Sequence, residues 1–496
     1  MSASQRRRSV APTSRRRFVL AAPLAAALVV GVGAGIAQAD PPDEVYLIGV
    51  PNVAVNGHSG AGAVDDRPTG TTGHTLTEPG LGLSPAGGID GAAFGTAVLS
   101  TDLNFDGQDD VIVGAPGAKA GRVDVFFGSD AGITGTGAQI LSATSQSGAR
   151  FGAALAISVR RDRETDETGT RDLWVGAPGY DVDGTKDAGA IFRFSLSPAG
   201  VATYLETITQ DSPLVPGVAE AGDHFGAVLA GEGANGVVVG VPDENLGQLK
   251  DAGTVQRIRT DPTTDALIQA TDFNQNSPGV PGTAEAGDRF GAAVSTDGHA
   301  VGVPGEDLGK LKNAGLVQTF GPSRSPLDSL VPSVDYSQNS KGIPGTAEAG
   351  DRFGAAISEG IFQCNENVSA AIGAPGENIG RIKDAGSVTQ ALLPAISGLK
   401  LSECPAQVFS QGHGLPGQAE AGDEVGAAMG ERSGDPDSEE DRMDRMVTGV
   451  PGEDVGSFKN TGRVYAFSGK FAVTLSYRGG DRTGLRFGSV FSTFVE

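Results

Sequence analysis

Nine residues, Asp102-Leu103-Asn104-Phe105-Asp106-Gly107-Gln108-Asp109-Asp110, place oxygen-bearing side chains at their first, third, fifth and ninth positions. Glycine stands sixth, and the seventh residue can offer its carbonyl. Oxygens spaced in this way around a tight turn can wrap a hard cation. Calcium takes six to eight oxygens in flexible geometry, and glycine permits the turn. A weaker copy follows in Glu164, Asp166, Thr168, Gly169, Thr170 and Asp172, which keeps the glycine and the last aspartate but has threonine fifth. Other chemistry is poorly supported. Five histidines are scattered without metal-ligand spacing. Gly57-His58-Ser59-Gly60-Ala61 comes nearest to a hydrolase elbow, but its second glycine is misplaced and no strand-to-helix turn surrounds it.

The elements that position these residues are short. Among 496 residues, 76 are glycine and 28 proline, while 39% are apolar, which favours many brief strands joined by tight turns over a disordered chain. The formal charge of −23 repels nucleic acid and anionic lipid and attracts cations and basic partners. Residues 1–39 stand apart. Six arginines without an acid precede an apolar run from Phe18 to Ile36, and Ala37-Gln38-Ala39 follows. Basic, apolar and small-residue segments in that order read as an export signal. Ser14-Arg15-Arg16-Arg17-Phe18-Val19-Leu20 is similar to a twin-arginine signal, with the general secretory route left open. The expectations are a secreted protein, with no membrane span in residues 41–496 and one disulfide between Cys364 and Cys404.

Self-similarity decides the architecture. Phe-Gly recurs at Phe94, Phe151, Phe225, Phe290, Phe353 and Phe487, and Val425-Gly426 is a copy without its ring. Gly-Ala-Pro or Gly-Val-Pro closes an apolar strand at Gly49, Gly114, Gly176, Gly240, Gly302, Gly373 and Gly449. A further glycine follows each, at Gly62, Gly121, Gly189, Gly253, Gly315, Gly386 and Gly462. These motifs resemble FG-GAP repeats, as in integrin α-subunit propellers, across essentially all of residues 41–496.

The expected fold is all-β: a seven-bladed propeller of four-stranded antiparallel blades. One thin twisted sheet cannot bury both faces, whereas radial stacking can. The chain starts with a Gly-Val-Pro that lacks a preceding Phe-Gly and finishes with a Phe-Gly that lacks a following Gly-Ala-Pro. The segment Arg486–Phe494 is therefore expected to supply the inner strand of the blade begun by Val45–Val50, leaving no open edge.

The resemblance implies Ca²⁺ held by Asp102, Asn104, Asp106, the Gln108 carbonyl and Asp110. Glu164, Asp166, Thr168, Thr170 and Asp172 form a second, weaker candidate. It further implies a monomeric binding or adhesion module for an extracellular protein or glycan, and no enzyme. An exported hydrolase or lyase and a cell-envelope scaffold stay open as alternatives. The acids of the blade-to-blade loops, Glu220, Asp223, Glu285, Asp288, Glu348, Asp351, Glu420 and Asp423, either ring the channel mouth or cap turns in their own blades.

Overall fold

A computed structural model describes residues 45–494, apart from 69–73, 83–88, 130–131, 161–169, 233–235, 262, 322–330, 364–366, 394–399, 402, 433–442, 469–470 and 478–483. The expected leader, residues 1–39, lies outside the described residues. No described helix is long and apolar enough to cross a membrane.

The described chain is a seven-bladed β-propeller of antiparallel blades. The second blade runs Ala97–Thr101, Asp110–Ala115, Arg122–Phe126 and Gln139–Leu141 from inside to outside, each strand antiparallel to the last. The third runs Ala154–Val159, Arg171–Ala177, Ala190–Leu196 and Ala202–Ile208, and four more begin at Val228, Ala293, Ala356 and Met429. The first blade takes its outer three strands from Val45–Val50, Ala63–Pro68 and His74–Leu76. Its inner strand is Val490–Phe494, which pairs antiparallel at Ile48↔Phe491 and Gly49↔Val490. The two ends of the domain thus complete one blade, as expected. The first strand of every blade touches the first strand of the next, all the way round, so the ring is closed.

The repeated motifs are the joints between blades. Phe94, Phe151, Phe225, Phe290, Phe353 and Phe487 are all fully buried, wedged between neighbouring sheets. At the copy that lacks its ring, Val425 shares a cluster with Phe362, Phe409 and Phe467, and the last two rings meet edge to face at 5.0 Å. The glycines set how closely the sheets approach. Gly114 lies so near the next blade that a Cβ would sit 2.0 Å from the Gly152 carbonyl oxygen. Gly121 has φ +94°, and a Cβ there would sit 2.2 Å from the Phe151 carbonyl oxygen. Only glycine tolerates both the left-handed backbone and the contact.

Candidate functional site

The Asp102–Asp110 segment joins the first two strands of the second blade. Its acceptors wind the turn: Asp106 N–H donates to Asp102 Oδ1 (3.1 Å) and Asn104 Oδ1 (3.0 Å), Gly107 N–H to Asp102 Oδ2 (2.8 Å), and Gln108 N–H to Asp106 Oδ1 (2.9 Å). Phe105 and Gly107 both take positive φ to close it. Arg171 of the third blade donates to the Asp102 carbonyl and lies over the Phe105 ring at 4.7 Å. The donor set is all oxygen and suits a hard divalent ion. Asp110 is fully buried, and its two oxygens accept the N–H groups of Leu103 and Gly128, both at 2.8 Å. Burial raises its carboxyl above the usual range despite those bonds. Asp110 therefore anchors the hairpin, while Asp102, Asn104 and Asp106 face one turn. Among the described residues no three His, Cys, Asp or Glu side chains are grouped as a metal cluster.

Of the weaker loop, Glu164, Asp166 and Thr168 lie outside the described residues. Asp172 is engaged elsewhere. It is fully buried between two guanidiniums, with Arg160 Nε at 2.9 Å from Oδ1 and Arg193 Nη2 at 2.7 Å from Oδ2. Arg193 is itself buried, pairs with Glu206 and Asp265, and lies 5.4 Å from the Trp174 ring. Two arginines compensate the buried aspartate in the way a cation would, so this residue is spoken for. Cys404 is buried, and no described cysteine is free. Its expected partner, Cys364, lies outside the described residues.

On the opposite rim, blade-to-blade loops meet the turns between second and third strands. Gly305, Gly376 and Gly452 N–H groups donate to the carbonyls of Asp288, Asp351 and Asp423, each at 3.1 Å. The loop aspartates do not ring a channel mouth. They are buried at blade interfaces, where Asp223, Asp288, Asp351 and Asp423 cap their own turns by accepting the N–H of Glu220 (2.6 Å), Glu285, Glu348 and Glu420 (2.5 Å each). The turn-capping alternative holds because one aspartate oxygen satisfies a loop N–H that the blade-to-blade packing shuts away from water.

Each of these aspartates has two companions that the sequence reading missed. Gln210, Gln275 and Gln338 follow the fourth strand of one blade, Gln411 ends it, and they donate through Nε2 to Glu244 (2.6 Å), Glu306 (2.6 Å), Glu377 and Glu453 (2.5 Å) of the next. Burial lifts the carboxyls of Asp223, Asp288 and Asp351 to about 6 and that of Asp423 to about 7. It lifts Glu244, Glu306 and Glu377 to about 7 as well. The sequence does hold a signal. Where the aspartate is replaced, so is the glutamate: Ala92 with Ala118, Ala149 with Tyr180, and Leu485 with Val53. Aspartate and glutamate come as a set or not at all.

The interface between the second and third blades breaks the pattern most. Tyr180 stands where the next four blades have glutamate, and the connection is short: Leu141 and Phe151 are 10 positions apart, against 17 for Ile208 and Phe225. The Pro-Gly-containing stretch of the next four interfaces is missing, and a cleft of 690 Å³ lies there. It is lined by Gln146, Ser147, Tyr180, Asp181, Val182, Asp183, Gly184, Thr207 and Thr209. Gln146 fixes its wall, donating to the Asp181 carbonyl (3.0 Å) and accepting Asp181 N–H (2.8 Å). Tyr180 is braced edge to face on Phe192 at 5.8 Å. Beside the cleft, the edge strand Ala202–Ile208 and the loop after it expose Tyr204 (49%), Leu214 (46%) and Val218 (65%).

Comparison with known proteins agrees with this architecture. The profile of the FG-GAP repeat matches residues 94–126. Integrin alpha-PS5 of Drosophila melanogaster is 38% identical over 94 residues, covering 18% of this chain and 9% of its own length. Integrin alpha-5 of Xenopus laevis is 31% identical over 163 residues, covering 30% and 14%. Human phosphatidylinositol-glycan-specific phospholipase D is 35% identical over 131 residues, covering 24% and 15%. The chain thus spans a small part of the length of each of these curated relatives. Among solved structures, the periplasmic gluconolactonase of Pseudomonas aeruginosa aligns with TM-score 0.36 and 13% identity, covering 71% of this chain and 76% of that one. The expectation that the chain is no enzyme is corrected by the phospholipase match. A stretch of 131 residues is shared with a protein named as a phospholipase, so the likeness to integrin α subunits does not by itself separate binders from enzymes.

Proposed function

We propose, for a chain that is an FG-GAP-repeat β-propeller similar to integrin α domains, that it serves as an extracellular binding module and seats its partner at the cleft between the second and third blades. One observation carries this reading: the loops of the third to sixth interfaces repeat closely, and the second departs from them by a shortened connection and a tyrosine in place of glutamate. A unique ligand needs a site that breaks the ring's pseudo-symmetry. The lining of hydroxyls, carboxylates and one aromatic face suits a polar partner, and the exposed apolar side chains beside it suit a protein more than a free sugar.

The Asp102–Asp110 hairpin is the brace of this module in the same reading. Asp102, Asn104, Asp106 and the Gln108 carbonyl hold Ca²⁺, with Asp110 fixing the loop from beneath. Residues 1–39 direct export, and Cys364 bridges Cys404 in the oxidising compartment that follows. The test is capture of secreted proteins and a glycan array with the purified domain, run with and without chelator and repeated with Tyr180→Ala. Loss of the captured species in a folded Tyr180→Ala domain supports the cleft. Equal capture by both proteins removes it. Captured species are also scored for turnover, since part of the sequence is similar to a protein named as a phospholipase.

A further inference from the structure

We infer that the three interfaces carrying Gln210–Asp223–Glu244, Gln275–Asp288–Glu306 and Gln338–Asp351–Glu377 are built sites for a hard, oxygen-seeking cation such as Ca²⁺. They are separate from both the hairpin and the cleft.

The first argument is a surplus of buried acceptors. Gln210, Gln275 and Gln338 are 2–3% exposed, and each spends Nε2 on its glutamate. The Oε1 atoms of all three are buried without a hydrogen-bond donor among the described residues, as are Asp223 Oδ1 and Asp351 Oδ1. Each triad therefore gathers a buried amide oxygen, a buried aspartate and a partly buried glutamate. Leaving such oxygens unsatisfied is costly, and more so when they are charged. A proton shared between the two carboxyls would satisfy those groups and leave the amide oxygen bare. A cation satisfies all three, and two carboxylates with one amide form the all-oxygen donor set that calcium or sodium takes.

The fourth copy shows what the other three require. In Gln411–Asp423–Glu453 the chain supplies the positive charge itself, with Arg463 Nη1 at 3.0 Å from Glu453 Oε1; Gln411 Oε1 is buried without a donor there too, so the guanidinium answers the carboxyl charge and not the amide oxygen. Arg463 follows the repeat glycine Gly462, and at the three other interfaces the same position holds Thr254, Leu316 and Ser387. The cations close to these triads are engaged elsewhere: Lys312 pairs with Asp307, and His224 and Arg289 pair with Asp243. No described Lys, Arg or His forms an ion pair with Asp223, Glu244, Asp288, Glu306, Asp351 or Glu377. A buried aspartate beside a partly buried glutamate that repels it calls for compensation, and an ion from solution fills the role that the guanidinium plays in the fourth copy.

The experiment counts ions. The full chain, stripped of metal and returned to Ca²⁺, is weighed by native mass spectrometry, with near-ultraviolet circular dichroism confirming the fold of each variant. The wild type is expected to carry three more ions than the Asp223→Asn/Asp288→Asn/Asp351→Asn variant. Asp423→Asn changes nothing, and Arg463→Thr gains one. Asp106→Ala reports the hairpin ion separately. Should the triple variant fail to fold, each single Asp→Asn variant is expected to lose one ion, and the gain in Arg463→Thr is read on its own. The inference is overturned by equal counts in the wild type and a folded triple or single variant, or by a folded Arg463→Thr that gains no ion. Variants that shift only the pH of unfolding, with no change in ion count, overturn it in favour of carboxyl pairs that hold protons.

Discussion

The blade interfaces come in two kinds. Four, from the third blade to the seventh, join through a long loop that buries an aspartate and a glutamine beside a glutamate at each seam. The other three, which flank the strand that closes the ring and the blade after it, have alanine, leucine, valine or tyrosine at the acid positions. Both kinds share the wedged aromatic or its valine substitute and the close glycine contacts. The joint between blades is therefore made by apolar wedging and backbone proximity. The polar seam is an addition that the fold does without at three of seven interfaces, so its recurrence calls for a reason other than holding the ring.

The most severe way to break the comparison is to attack what both kinds share. Gly302→Ala would put a methyl group 2.0 Å from the Gly354 carbonyl oxygen, a backbone contact that no rotamer change relieves. It is expected to cost more than about 3 kcal/mol in urea unfolding, or to abolish folding. Phe290→Ala removes a fully buried wedge at a polar seam and is expected to cost about 3–5 kcal/mol. If the seam acids held the interface instead, this loss would be small.

A milder test separates the kinds by pH. Folding raises the carboxyls of Asp223, Asp288 and Asp351 to about 6 and of Glu244, Glu306 and Glu377 to about 7, above their unfolded values near 4, so the native state binds more protons between those limits. Stability must then fall as pH rises from about 4 to 7 and level off above. In metal-free buffer the melting temperature is expected to drop over that window. Added Ca²⁺ restores it at pH 7.5 and does little at pH 4.5, where the carboxyls are protonated. A melting temperature that rises with pH in chelator would contradict the assignment. The smallest effect on stability belongs to Tyr180→Ala, at the rim of an open cleft. Its melting curve is expected to shift by no more than a few degrees while partner capture is lost.

Much of this fold is legible in the residues because each joint is spelled locally. Phe-Gly, Gly-Ala-Pro and the later glycine each occupy two or three neighbouring positions, and their order at the two ends foretells the pairing of Gly49 with Val490. The sites were harder to read because they are assembled across blades. Gln210 and Glu244 are 34 positions apart and meet only when neighbouring sheets pack, so the sequence leaves the acids readable either as a ring or as turn caps and does not show their glutamine partners. Asp172 sits ninth in a loop that resembles a calcium turn, yet Arg160 and Arg193, 12 and 21 positions away, converge on it once the third blade folds. The cleft at Tyr180 left only a negative trace, a connection too short to cover the seam.

The central claim is that the chain compensates one seam with Arg463 and leaves three to ions from solution. Long-wavelength anomalous diffraction from crystals grown in calcium tests it most directly. Three peaks at the Gln210, Gln275 and Gln338 seams, and none beside Arg463, are the predicted outcome. A map with density only in the Asp102–Asp110 hairpin, or with none at all, would contradict it.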